Sequence, residues 1–290
     1  MMQPAMFFER ITKVSLYLLV FLIPLWFLPV TQDALVYQKQ ALLVVLVFLS
    51  LLTWLGRAVQ QGELSFRVTR LYIPIALVVL VFGISTILSL WKYGSFWGWP
   101  LDVTDSFLTV TFFALLSVVM VNAMQQSSQL FQLLFLLLIS GAVAGLFALL
   151  QLYNVFLLPF SFAKAATFNT IGATNSVAIL AAVLLPLALV LAAAAKPLLR
   201  WFLWSMVVLF VFILAAINFF DAWVALVVGL LILLAFGMWN LRKRTEFGWI
   251  SFPMAFIIVA LFFTMFRVSL PGAPTAPVEV SPSVQGEWQI

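Results

Sequence analysis

The sequence predicts an all-α fold: a polytopic transmembrane helical bundle of about nine spans, with the amino terminus inside and the carboxyl terminus outside. Three observations carry that expectation. Of 290 residues, 66% are hydrophobic and only 8% are charged, against roughly 25% charged in soluble domains. The mean hydropathy is +1.22, so too few polar residues exist to coat a surface facing water. The apolar residues also fall into runs long enough to span a bilayer core, each bounded by charges, Pro, Gly or polar clusters.

In chain order the runs are 14–30, 38–56, 71–91, 105–124, 130–153, 173–195, 201–219, 222–240 and 249–266. The first contains Pro24 and Pro29 among aromatic residues and lacks the small-x-small pattern of a cleavable leader. With the amino terminus inside, Arg10, Lys13, Arg57, Arg67, Arg70, Lys196, Arg200, Arg242, Lys243 and Arg244 gather on the inner side. Lys39, Lys92, Lys164 and Arg267 fall outside, together with Asp33, Asp102, Asp105, Asp221, Glu279 and Glu287. This is the sorting that the positive-inside rule demands, and an even number of spans spoils it. Residues 1–267 form the transmembrane domain. Residues 268–290 form a Pro-rich extracytoplasmic tail, expected to be extended.

The inner connections 57–70, 125–129 and 242–246 read as short anchors, the basic ones suited to anionic headgroups. The outer ones carry more chemistry. Trp91-Lys-Tyr-Gly-Ser-Phe-Trp-Gly-Trp-Pro100 is either an aromatic belt at the membrane boundary or an interfacial loop lining a pocket. Asn169 and Asn175 lie where the chain re-enters the apolar layer, placed to cap the sixth span or to hydrogen-bond a sugar. Gly141-Ala-Val-Ala-Gly145 is a small-xxx-small motif for close helix approach. Asp221 stands between two apolar runs, in Asn218-Phe-Phe-Asp-Ala-Trp223. Three readings apply to it: a tight helical hairpin, a functional carboxylate, or one long broken helix.

Composition excludes several chemistries. The chain has neither Cys nor His, which removes disulfides, thiolate nucleophiles, His-based acid–base triads and zinc–histidine sites. No metal site and no cofactor are expected. The net charge of +5 comes from basic residues scattered between apolar runs, which argues against nucleic acid as a partner.

The order of segments resembles the amino-terminal part of the O-antigen ligase and polymerase family of bacterial envelope proteins. The residues that carry the resemblance are Pro24-Leu-Trp-Phe-Leu-Pro29, Lys39 opening the second span, and Ile84-Ser-Thr-Ile-Leu-Ser89 leading to Ser95-Phe-Trp-Gly98. Further on, Thr167–Asn175 with Leu185-Pro186 stands where the family has a Gly-Thr-Phe-x-Asn-Pro-Asn type helix start. Asp221-Ala-Trp-Val-Ala-Leu226 stands at its Ser-Arg-Gly-Ala-like start.

The resemblance implies a multi-pass protein of the bacterial inner membrane that works in lipopolysaccharide and cell-envelope polysaccharide assembly. Such a glycosyltransferase moves a glycan from an undecaprenyl-diphosphate carrier to an acceptor. Its partners are then membrane lipid, the polyprenyl-diphosphate-linked glycan and, where activity needs it, another membrane chain. The outer cations Lys39, Lys164, Arg267 and Lys92 are the candidates for the donor diphosphate, Lys39 and Lys164 foremost; as plain interfacial lysines they would instead snorkel. Asp33, Asp102 and Asp221 are the candidate acidic groups facing an acceptor hydroxyl. The chain departs from the family in having no His, in carrying Phe220 where an Arg is expected, and in ending at Ile290 where a large outer loop would begin. An incomplete or inactive relative is therefore expected. A non-catalytic scaffold or partner subunit is the alternative, with a lipid-linked glycan transporter behind it.

Overall fold

The computed structural model describes residues 4–27, 36–63, 66–98, 103–160 and 163–241. Among the described residues the chain is entirely helical, without a strand. In order the helices are α1 (Pro4–Leu22), α2 (Val36–Gln61), α3 (Tyr72–Leu88), α4 (Lys92–Trp97), α5 (Phe107–Ala123), α6 (Ser127–Leu152), α7 (Thr174–Ala194), α8 (Pro197–Ile217) and α9 (Phe220–Leu241). Four of them, α2, α6, α7 and α8, are long and apolar enough to cross a membrane, and α3 and α5 are shorter apolar helices. The ninth predicted run, 249–266, lies outside the described residues, as do the tail and the inner turn at 242–246.

The first eight apolar runs each contain a helix, but their ends differ from expectation. Helix α1 already runs from Pro4, and within its first turns Glu9 and Lys13, one turn apart, pair across the helix surface. It stops at Leu22, two residues before Pro24, whose ring disfavours helical geometry just upstream. The third run breaks at Ser89, which is extended (ψ 141°), and the chain then forms the six-residue α4. Gly98 ends α4 in the left-handed region (φ 83°) and donates its N–H to the Gly94 carbonyl. Helix α5 begins after Ser106, whose side chain accepts from the Thr109 N–H, a regular N-cap.

Helix α7 is the hub. It packs against α6, α8 and α9, and its Ala-rich surface lets all three come close. Leu184, Leu185, Ala188, Leu203, Phe210, Leu214, Trp223 and Leu226 are buried where these helices meet. The glycines of the small-xxx-small motif serve two different neighbours. A Cβ on Gly141 would stand 2.1 Å from Leu184 Cδ1 of α7, and one on Gly145 would stand 2.5 Å from Ile213 Cδ1 of α8. Pro186 lies inside α7 and faces Gly229 of α9, where an added Cβ would meet its ring at 3.2 Å.

The other half is looser. Helix α1 lies along α2 and α6, with Leu16 joined by Val119, Ala123 and Leu133, and Leu19 by Leu43 and Val47. The α1–α2 seam also carries hydroxyls: Thr12 and Thr53 share a hydrogen bond of 2.8 Å. Helix α3 buries none of its residues and touches only α4 and α5 to a substantial extent.

Side-chain bonds sort the helix ends into two groups. At one end Arg57 of α2 reaches Glu9 of α1 at 3.5 Å. Beside it, Asn122 of α5 accepts from the Arg67 N–H and donates to Tyr72 of α3. At the opposite end lie the start of α2, the α4 region, the start of α5 and the 153–173 connection. Helix α7 runs 21 residues, roughly 31 Å, from that connection to Lys196 and Arg200. Lys39, Lys92 and Lys164 thus share one end, and the remaining described cations share the other.

Candidate functional site at the Lys39 end of the bundle

The 153–173 connection is held by its own side chains. Asn169 Oδ1 accepts from the N–H groups of Ile171 (2.9 Å) and Gly172 (2.8 Å). Its Nδ2 donates to the carbonyls of Thr167 (3.2 Å) and Gly172 (2.9 Å). Gly172 has φ 138°, a conformation that favours a residue without Cβ. This corrects the capping expectation for Asn169: its amide closes the 167–172 turn. Helix α7 has Ala173 at its N-cap with no side-chain bond, and Asn175 is already the second residue of the helix.

The turn is then tied to the first two helices. Thr170 Oγ1 donates to the Pro24 carbonyl at 2.8 Å. The Lys39 ammonium donates to the Thr170 carbonyl and, at 3.3 Å, to that of Ile171. The Phe168 ring stands edge-on to Phe27 and to Phe147, with centroids 6.1 and 6.2 Å away. Beside Phe168 a narrow void of about 10 Å³, lined in part by Gly145, Leu152, Asn169 and Ile213, has room for a single water.

Next to Lys39, Gln40 is buried and fastens α4 and α5 to α2. Its Nε2 lies 3.3 Å from the Trp97 carbonyl, 3.1 Å from Ser106 Oγ and 2.9 Å from Thr109 Oγ1. The Trp91–Pro100 stretch is therefore partly helical. Its Trp97 ring meets those of Tyr93 and Phe96, and Phe96 also meets Phe107.

The predicted site residues fall in three groups. Lys39 is half-buried and donates to two carbonyls of the turn. Lys164 lies exposed on the same connection, and Lys92 is exposed at the start of α4. Asp221 is exposed in the first turn of α9, where a carboxylate is favoured by the helix dipole. Only Asn218 and Phe219 separate α8 from α9, with Asn218 left-handed (φ 48°), so Asp221 stands just after a two-residue break, and α8 and α9 each pack on α7 instead of on one another. Arg267, Asp102 and Asp33 lie outside the described residues.

Among the described residues the ion pairs all involve Glu9, so Lys39 has carbonyl dipoles around it and no carboxylate. No group of three or more acidic side chains gathers among them either. The arrangement can offer positive charge to an anion; within the described residues it holds no acid–base pair. Sequence reasoning singled out Lys39 and missed Gln40 and Gln151, although an amide inside an apolar run was a usable signal for both. No family model, curated protein or solved structure matches the chain.

Proposed function

We propose that this chain is an O-antigen ligase-like protein of the bacterial inner membrane that engages undecaprenyl-diphosphate-linked glycan at the Lys39 end of the bundle. The observation that carries the reading is the ammonium of Lys39, half-buried at a helix end and surrounded by neutral carbonyls. With no acidic partner among the described residues, a cation drawn partly out of water gains more from an incoming anion than a solvated one does. A diphosphate at the membrane boundary is such an anion. Lys164, exposed on the same connection, supplies a second charge. The apolar perimeter of the helices suits a polyprenyl tail, and the basic end of the bundle then faces the cytoplasm.

Binding of undecaprenyl diphosphate to the full chain in lipid nanodiscs tests this. Lys39→Ala is expected to weaken it about tenfold or more, the worth of a charge-assisted contact, and Lys164→Ala to weaken it less. Unchanged binding in both variants removes the proposal.

One observation favours the second reading, a non-catalytic partner subunit. Helix α3 buries no residue of its own while exposing Leu77, Leu80, Val81 and Ile84, an apolar face open to lipid or to another membrane chain. Co-purification with a larger membrane protein from the same operon, together with no glycan transfer by this chain alone, is the outcome that reading requires.

A further inference from the structure

Four side-chain amides are buried among the described residues: Gln40, Asn122, Asn169 and Gln151. Three are hydrogen-bonded. Gln40 has three acceptors within reach. Asn122 accepts from Arg67 and donates to Tyr72 and to the Val118 carbonyl. Asn169 makes four bonds. Gln151 is 0% exposed, yet neither its oxygen nor its nitrogen has a hydrogen-bond partner among the described residues. A buried amide left in this condition is strongly disfavoured and calls for a missing polar group.

Its position says where that group comes from. Gln151 is in the last turn of α6, on the stripe that runs through Ser140, Ala144 and Phe147 at helical spacing. Ser140 donates to the Phe21 carbonyl of α1 at 2.5 Å. Phe147, one turn below Gln151, meets the Phe168 ring of the 153–173 connection. Gln151 therefore lies at the level of the turn that Lys39 fastens, at the end of α6. Its Oε1 needs a donor and its Nε2 an acceptor. A hydroxyl supplies both, whereas an anion would satisfy the nitrogen and repel the oxygen.

We propose that Gln151 is a hydrogen-bonding site for a hydroxyl group beneath the 153–173 connection. The hydroxyl belongs either to a buried water or, resting on the carrier reading above, to the first sugar of the lipid-linked glycan.

The full chain in nanodiscs distinguishes the two. Binding is measured for undecaprenyl diphosphate and for undecaprenyl-diphosphate-linked N-acetylglucosamine, and melting is measured without either. For a sugar hydroxyl, the native chain holds the sugar-bearing carrier about fivefold more tightly. Gln151→Met then erases that preference and leaves bare-carrier affinity unchanged. For a water, the native chain shows no preference, and both Gln151→Met and the smaller Gln151→Leu melt roughly 2–4 °C lower. The proposal is overturned if both variants melt at or above the native temperature and any sugar preference survives in them. If the native chain binds neither carrier, the carrier reading fails by itself, and the melting comparison alone decides Gln151.

Discussion

Lys39 and Glu9 are charged side chains near opposite ends of the α1–α2 pair, and their surroundings give them different work. Glu9 lies below the apolar stretch of α1, and its pKa is lowered from 4.5, first by the hydrogen bond from Lys13; burial opposes this, and the charges of Arg57 and Lys13 add smaller lowering effects. A depressed carboxyl contributes stability above its unfolded pKa and loses it as pH falls through the folded value. Unfolding of the solubilised chain should therefore become easier below pH 4.5 by about 0.5 kcal/mol, the scale of a partly exposed ion pair. Glu9→Gln should remove that part of the pH dependence; an identical acid response in the variant would refute the assignment. The Glu9–Lys13 pair was legible in the sequence because it is one helical turn long. The partners of Lys39 were not, because the accepting carbonyls of Thr170 and Ile171 lie more than a hundred positions away, and a backbone oxygen leaves no mark on the letters around it. Gln40 was hidden for the same reason: its acceptors come from three later points in the chain.

At the scale of elements, the apolar runs predicted which helices exist, since a run of that length has few other ways to satisfy its backbone in lipid. Their ends were less legible. The amino-terminal part of α1 holds polar and charged residues ahead of the apolar run, and α4 is a single short helix inside a segment rich in Gly and Trp, where propensity is weak. The small-xxx-small motif was read as a packing device, and the structure assigns its two glycines to different partners, Leu184 and Ile213. Gly141→Leu should therefore weaken the α6–α7 contact and Gly145→Leu the α6–α8 contact. Each is expected to cost about 1–3 kcal/mol from overpacking. The facing atoms are side-chain tips, so the alanine variants should be milder. Resistance to denaturation by sodium dodecyl sulfate reads this directly, and leucine variants as resistant as the native chain would show that the glycines are not in tight contact.

At the scale of the molecule, the sorting of cations between the two ends agrees with the expected antiparallel run of the helices. The absence of cysteine makes the corresponding test simple, because any introduced thiol is unique. With the Lys39 end on the outer face, Lys164→Cys and Lys92→Cys should react with a membrane-impermeant maleimide in intact cells, while Arg57→Cys and Arg200→Cys should react only after lysis. The reverse pattern would invert the topology and leave the carrier reading without a compartment.

The uneven packing of the two halves has a further consequence. Helices α6, α8 and α9 close around α7, whereas among the described helices α3 leans chiefly on α4 and α5. Severing the backbone on both flanks of α3 would detach a helix that contributes nothing to the central cluster, so the remainder should still assemble. Swapping that helix for another hydrophobic segment would then alter what the protein meets sideways in the membrane without disturbing its centre.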